Sequence, residues 1–212
     1  MVNAVLLKNH RRNVLKIIVV GGTGTIGQSV VKALKKQHEV IVVSRSSKQT
    51  VDVSSTASIR KMYDDIGPFD ALISTIGSVI FKPLDAFTLE DFNVGLQHKL
   101  MGQVQLVTEG LKTIRPNGSF TLTSGILNKE PIRGGVSAAM VNDALEGFVR
   151  AASLELPHVR LNCVSPTVIT EALPKYADYF KGFIPVPADT VAQAYVKSVE
   201  GIARGQIDTV GF

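Results

Sequence analysis

A glycine-rich turn near the start of the chain is the feature best suited to bind a charged ligand. Residues 21–27, Gly-Gly-Thr-Gly-Thr-Ile-Gly, follow an apolar, mostly β-branched run at 15–20 and precede a segment with helical periodicity. Small residues at such a junction let a diphosphate approach the backbone amides, and the helix N-terminus attracts its negative charge. The pattern predicts a dinucleotide site that includes Gly21, Thr23, Gly24, Thr25, Ile26 and Gly27.

The end of the second predicted strand indicates which dinucleotide binds. An NAD site commonly carries an acidic residue there, which accepts hydrogen bonds from the ribose hydroxyls. Here Ser44 and Arg45 stand instead, and a guanidinium with a hydroxyl can bind a 2′-phosphate through charge-assisted hydrogen bonds. We therefore expect NADP(H) to be preferred over NAD(H). The alternative is that Arg45 is only a solvated loop residue.

The composition is typical of one soluble, enzyme-like domain. The 212 residues are 45% hydrophobic and 19% charged, enough to bury a core, and no apolar run reaches the roughly 18 residues of a membrane helix. The single cysteine, Cys163, excludes an intrachain disulfide and fits a buried thiol in the cytoplasm. A net charge of +5 without a basic, aromatic stripe predicts neither a nucleic-acid nor a membrane partner. No metal site is expected either.

Strand and helix signals alternate along the whole chain. Residues 1–13 read as an N-terminal extension, and 14–212 as a single domain with strands at 15–20, 40–43, 51–53, 71–76, 119–123, 159–164 and 206–210. Helices are predicted at 25–36, 56–65, 89–114, 137–156 and 188–203. Strands joined by crossover helices must be parallel. We therefore predict a doubly wound Rossmann fold, a parallel sheet of about seven strands with helices on both faces, with ligands beyond the strand C-termini.

These motifs, in this order, resemble the classical short-chain dehydrogenase/reductase family over about residues 15–210. Gly21, Gly24 and Gly27 stand at the three glycine positions of the family's phosphate loop. The resemblance implies an NAD(P)-binding domain whose further cofactor residues are Asp52 and Val53 beside the adenine, Ile76 and Gly77 in the stretch that is Asn-Asn-Ala-Gly in the family, and Pro166 and Ile169 near the nicotinamide.

The catalytic centre departs from that family. The family uses a serine, a Tyr-x-x-x-Lys motif and an asparagine on the preceding helix. Ser124 stands at the serine position and Lys99 at that of the asparagine, whereas Val136 and Met140 are aligned with the tyrosine and lysine. In this loss the chain resembles a bacterial subgroup of the family. Valine and methionine cannot donate a proton, and proton transfer of this kind contributes roughly 10²–10⁴-fold to a rate.

Two hypotheses follow for the function. In the first, the protein is an NADP(H)-dependent oxidoreductase that reduces a small or hydrophobic carbonyl substrate, with Ser124 orienting the carbonyl and Lys99, supported by Gln103, donating the proton. Lys99 lies at the edge of an apolar helical stripe, so it can also be a lysine that merely extends to solvent. Tyr176 and Tyr179 are other candidate donors. They lie in the apolar segment 170–187, which covers the substrate in the resembled family, and packing within this lid suits them better. In the second hypothesis, the protein binds NADP(H) without turnover, as a redox sensor or partner-binding module.

The two long predicted helices suggest self-association. The segment 137–156 carries apolar residues on several faces, more than one sheet can cover. In the resembled family, these helices form the bundle between subunits. We expect a homodimer or a homotetramer, the alternative being that the apolar segment 170–187 covers the surplus.

Overall fold

A parallel sheet of six strands forms the centre of the protein in the computed structural model, which describes residues 14–212. The predicted extension at 1–13 lies outside the described residues. The strand order is β2-β1-β3-β4-β5-β6, with β1 (Lys16–Val20), β2 (Glu39–Val43), β3 (Phe69–Ser74), β4 (Ile114–Thr123), β5 (Arg160–Pro166) and β6 (Ile207–Val210). The predicted Rossmann fold is confirmed.

Helices cover both faces of this sheet because successive residues of its strands point to opposite sides. Ile17 and Val19 of β1 pack with α1 (Thr25–Leu34) and α7 (Ala188–Glu200), which follows the short helix α6 (Leu173–Tyr176). Ile18 and Val20 pack on the other face, which is covered by α2 (Thr56–Ile66), α4 (Gly102–Gly110) and α5 (Val136–Ala152). Burial on both faces explains why the strand reads as a continuous apolar run. No helix among residues 14–212 is long and apolar enough to cross a membrane.

The strand predicted at 51–53 does not form, so the sheet has six strands and not seven. Among the described residues between β2 and α2, only Gln49 pairs with a strand, through one isolated parallel bridge to Val43 of β2. The backbone N–H of Asp52 donates instead to Ser58 Oγ at 2.9 Å, and Asp52 Oδ1 accepts from the N–H of Ser54 at 3.0 Å. These local side-chain bonds compete with a strand ladder and form a turn that leads into α2.

The predicted helix at 89–114 is also wrong as a single α-helix. It is divided into α3 (Leu89–Val94), a π-helical turn (Gly95–Met101) and α4. A Cβ on Gly95 would lie 2.9 Å from Ser137 Oγ, so this glycine allows the π turn to pack closely against α5. A π turn has more residues per turn than an α-helix. The side chains that follow it therefore point in other directions than a uniform helical wheel assigns.

Candidate functional site

A cleft of about 540 Å³ lies beyond the C-terminal ends of β1, β2 and β3. This is the edge at which doubly wound sheets bind their ligands. The structure brings together there most of the residues expected to bind the cofactor, namely Gly21, Thr23, Gly24, Ser44, Arg45, Asp52, Val53, Ile76 and Gly77. The cleft therefore joins segments that are far apart in the sequence.

The glycine turn is held in one shape by its own backbone. Gly21 has a φ of +84°, which favours glycine, and its N–H donates to Val43 O at 2.8 Å, tying the turn to β2. A Cβ on Gly27 would lie 2.2 Å from Gly21 O, so Gly27 is required for helix packing. Neither Gly27 nor Thr25, the first residue of α1, lines the cleft. The turn thus places the N-terminus of α1, with its unpaired N–H groups, directly after Gly24.

The charges in the cleft are few. Among the described residues of its wall, Arg45 is the one permanent cation and Asp52 the one carboxylate. Hydrogen bonds from Ser54 hold the pKa of Asp52 below its usual value, so this group is ionised at neutral pH. At the end of β2, Arg45 is exposed, and its neighbours in the sequence are serines, Ser44 and Ser46. This arrangement leaves the β2 end of the cleft open to an anionic group.

Sequence reasoning missed several residues of the cleft. His98 was assigned to no site, and it lines the cleft from the π turn with its side chain exposed. Two other residues that were missed are valines, Val20 and Val51, and four carry hydroxyl groups: Ser46, Ser54, Thr75 and Ser78. Their local sequence has no signal for ligand binding, because serine and threonine are common in any loop.

A second cavity, of about 240 Å³, adjoins the first and shares Thr75, Ile76 and Gly77 with it. Ile26, Lys99, Ser124 and Pro166, all expected at the site, line this cavity. Ile169 does not; it packs beside α7 and forms a bridge with Val186. Much of the remaining wall is apolar, with Val79, Phe81, Ile126, Leu127, Val168 and Phe180. A ligand that lies along the cleft can therefore reach a mostly apolar chamber.

Lys99 extends from the π turn into this second cavity. Its Nζ donates to the carbonyl oxygen of Ser124 at 3.0 Å, and its stem packs on Gly77, where a Cβ would lie 3.0 Å from Lys99 Cδ. Gln103 supports the lysine as expected, because its Nε2 donates to the carbonyls of Lys99 and Thr123, both at 3.0 Å. Burial lowers the pKa of the Lys99 ammonium from 10.5 to about 8.

The hydroxyl of Ser124 is bound elsewhere. Its Oγ donates to Glu146 Oε1 at 3.1 Å, and Glu146 is fully buried in α5. The other oxygen of Glu146 lies 3.5 Å from both Lys129 Nζ and Arg150 Nη1, which balance its charge. Ser124 therefore contacts Lys99 through its carbonyl group, whereas its hydroxyl is held by Glu146.

Val136 and Met140, aligned above with the family's tyrosine and lysine, do not face the second cavity. These side chains are 36% and 40% exposed and lie outside the cavity. The residues of α5 that line the cavity are Ala138 and Asn142, each 3% exposed and four positions apart. Helical periodicity contained this signal, because Ala138 and Asn142 fall on the same buried face as Leu145. An alanine and an amide, like a valine and a methionine, cannot act as the general acid.

Tyr176 and Tyr179 pack against the wall of the second cavity. Their rings pack on Phe81, with centroids 5.8 and 5.7 Å apart. Neither tyrosine is among the described residues that line the second cavity, whereas Phe81 and Phe180 are. The two rings therefore pack behind the apolar wall. Lys99 is the one titratable side chain among the described residues that line the second cavity.

Comparison with known proteins agrees with this architecture. Residues 17–203 match the family described as Enoyl-(Acyl carrier protein) reductase. The chain belongs to the short-chain dehydrogenase/reductase family of oxidoreductases. The predicted resemblance is thereby confirmed at the level of the family.

Individual relatives cover nearly the whole chain. The protein lin1944 from Listeria innocua, whose crystal structure is known, is 43% identical over 92% of this chain and 98% of that one, with a TM-score of 0.90. A small-chain dehydrogenase solved in complex with NADPH is 25% identical, with a TM-score of 0.85 and coverage of 93% and 97%. The short-chain dehydrogenase/reductase ATR9 of Stachybotrys chlorohalonatus is 27% identical over 85% of this chain and 88% of the relative.

Proposed function

We propose that residues 14–212 form one NAD(P)-binding domain that uses NADPH to reduce a small, largely apolar carbonyl compound, with Lys99 as the proton donor. The observation that carries this proposal is the ammonium of Lys99 in the second cavity, with its pKa lowered to about 8. A group that titrates near neutral pH can both donate a proton and recover it from solvent.

The cleft suits NADP(H) better than NAD(H). Ser44 and Arg45 line the cleft at the end of β2, where a 2′-phosphate would meet the guanidinium, and Asp52 is the one carboxylate among the described residues of the cleft. Backbone amides around Thr23 and Gly24 would hold the diphosphate, with Asp52 and Val53 nearer the adenine. When bound, the cofactor supplies the hydride. The likeness to a dehydrogenase that was crystallised with NADPH supports this choice.

The protein's own groups must supply the rest of the reaction. Reduction of a carbonyl adds hydride to carbon and a proton to oxygen, and in this proposal the Lys99 ammonium gives that proton. Ser124 positions the ammonium through its carbonyl oxygen at 3.0 Å. For its hydroxyl to orient the substrate as well, the bond to Glu146 has to open. The volume of about 240 Å³ and the apolar wall favour a small, hydrophobic substrate.

A second candidate function is NADP(H) binding without turnover, as a redox sensor or partner-binding module. The presence of Ala138 and Asn142 on the cavity face of α5, where a general acid is absent, favours it. The loss of the Tyr-x-x-x-Lys motif also motivates the proposed place in a bacterial subgroup. Both candidates need the same cleft, so only turnover separates them.

The deciding experiment follows NADPH oxidation by absorbance with a panel of small aldehydes and ketones. The unaltered protein should oxidise NADPH, and Lys99→Met should reduce kcat by roughly 10²–10⁴-fold while the Kd for NADPH changes by less than about twofold. Lys197→Met is a matched control, since that lysine is exposed and pairs with Asp208. Full activity of Lys99→Met would remove Lys99 from the mechanism. Binding of NADPH without oxidation in the unaltered protein would support the sensor.

We also propose that the protein is a homodimer or homotetramer in the cytoplasm. Apolar side chains are exposed on the outer surfaces of the π turn, α4 and α5: Met101, Leu111, Val136 and Met140. A second copy of the chain could cover them. The fully buried free thiol of Cys163 suits a reducing compartment.

A further inference from the structure

Lys99 brings a primary amine without a counter-charge to the second cavity. The residue is partly exposed and lines the cavity. The ionisable group that acts on its ammonium is the thiol of Cys163 in β5, and burial raises the pKa of that thiol to about 12, so the thiol is neutral at pH 7. Within residues 14–212, no carboxylate pairs with Lys99; the buried carboxylate of Glu146 is flanked instead by Lys129 and Arg150.

The contacts of Lys99 hold its nitrogen without using up the nitrogen's reactivity. Nζ donates to Ser124 O at 3.0 Å. A carbonyl oxygen only accepts, so this bond can hold the ammonium and the neutral amine alike. The stem packs on Gly77, and Gln103 donates to the backbone carbonyl of Lys99. In the neutral amine, the lone pair on Nζ therefore remains free for a ligand.

The cavity favours the neutral form of this amine. Its wall includes the apolar side chains of Val79, Phe81 and Phe180, and burial lowers the pKa of Lys99 to about 8. At pH 7, about a tenth of such an amine is neutral, compared with less than about a thousandth of an ordinary lysine. A neutral amine held in an apolar pocket is the arrangement in which lysine attacks a carbonyl carbon.

We propose that Lys99 Nζ captures a small apolar aldehyde in the second cavity as a reversible imine. The lone pair of Nζ forms a C–N bond to the aldehyde carbon, and an amine proton moves to the aldehyde oxygen, which gives a carbinolamine. That oxygen then leaves as water, taking up one proton from solvent, and the protonated imine remains. Addition of water reverses the sequence. Nothing is oxidised or reduced, so this capture shares Lys99 with the proposed function but does not need NADPH.

The test treats the unaltered protein at pH 7 with pentanal and sodium cyanoborohydride, without NADPH. Cyanoborohydride reduces a protonated imine to a stable secondary amine and spares the aldehyde, and peptide mass spectrometry then measures the labelling rate of each lysine. Lys197, which is exposed and pairs with Asp208, is the reference within the same molecule. We expect Lys99 to be labelled at least about tenfold faster than Lys197 at pH 7, and this advantage to vanish at pH 10, where an ordinary lysine is also partly neutral.

Two further measurements complete the test. Lys99→Arg, which keeps a cation and removes the nucleophile, should lose the fast phase of labelling in the intact mass. Glyoxylate, whose carboxylate is costly to place against an apolar wall, should label Lys99 several-fold more slowly than pentanal does, each relative to Lys197. Equal labelling by the two aldehydes would contradict an apolar ligand.

The comparison between lysines uses the unaltered protein, so it does not depend on the folding of Lys99→Arg. Labelling of Lys99 no faster than that of Lys197 at pH 7 would overturn the inference, and NADPH oxidation by the same protein would then leave the proposed function intact. Fast labelling of Lys99 in a protein that does not oxidise NADPH would support the capture of aldehydes and refute the proposed reductase.

Discussion

Lys99 and Asn142 both donate hydrogen bonds to the same short segment of backbone. The lysine donates to Ser124 O at 3.0 Å, and the amide donates to Gly125 O at 2.9 Å. The segment follows directly after β4, at the edge of the sheet where both cavities open. The described bond uses one of the three N–H groups of the Lys99 ammonium, so the other two can donate to a ligand. The pH dependence of turnover and the effect of Lys99→Met on stability both depend on this placement of Lys99.

The first prediction concerns the pH dependence of turnover. If the ammonium of Lys99 is the proton donor, only enzyme in which Lys99 is protonated reduces the carbonyl. Its pKa of about 8 means that kcat for carbonyl reduction should be constant below pH 7 and fall about tenfold per pH unit above 8. Steady-state rates between pH 6 and 10 at saturating NADPH would show this. A rate that stays constant up to pH 10 would contradict a donor role for Lys99.

The second prediction concerns stability without cofactor. Burial lowers the pKa of Lys99 from 10.5 to about 8, so below pH 8 the folded protein carries the full cost of a buried ammonium. Between pH 8 and 10.5 the folded chain has released this proton while the unfolded chain still binds it, so stability rises with pH. Lys99→Met should therefore be more stable than the unaltered protein at pH 7, on the order of 1–3 kcal/mol.

Urea unfolding at pH 7 and pH 10 measures this difference. The lost bond to Ser124 O reduces the gain by about 1 kcal/mol, but the gain should still shrink as the pH rises. Lys197→Met, which removes an exposed lysine paired with Asp208, should not stabilise the protein at pH 7. A destabilised Lys99→Met at pH 7, or a gap that is the same at both pH values, would show that burial of the charge is not costly.

The third prediction concerns the choice of cofactor. Arg45 is exposed at the end of β2 and lines the cleft, where it should bind the 2′-phosphate of NADP(H). Arg45→Ala should weaken NADPH binding by roughly tenfold or more, since a charge-assisted bond is lost, and leave NADH binding unchanged. Lys48→Ala is the control, because Lys48 is an exposed cation nearby that does not line the cleft. Equal affinity of the unaltered protein for NADPH and NADH would refute the preference.

The fourth prediction concerns assembly. Met140 is 40% exposed on the outer face of α5, and a charge there would be costly to bury between two copies of the chain. Met140→Lys should dissociate the oligomer to monomers at micromolar concentrations, as measured by light scattering. Ile184→Lys is the control, because Ile184 is an exposed apolar residue of the segment 170–187, outside the proposed interface. It should leave the mass unchanged. A monomeric mass for the unaltered protein would rule out the proposed interface.

The sequence by itself determined those features of the protein that depend on residues close together in the chain. The run at 15–20 had to be a strand buried on both faces, and the glycines of residues 21–27 had to form a tight turn, because local sterics and hydrophobic periodicity decide both. A helix had to follow, since strand order and crossover rules leave few other folds. The dinucleotide cleft was predictable for the same reason.

Only the tertiary structure decided the chemistry of the second cavity. The π turn at Gly95–Met101 directs Lys99 toward Ser124, 25 positions away, and no uniform helical wheel contains that rotation. The hydroxyl of Ser124 is drawn to Glu146 by a contact between β4's end and α5. Packing of α5 places Asn142, and not Met140, against the cavity. Such contacts join residues distant in the sequence, whose meeting depends on how whole elements pack.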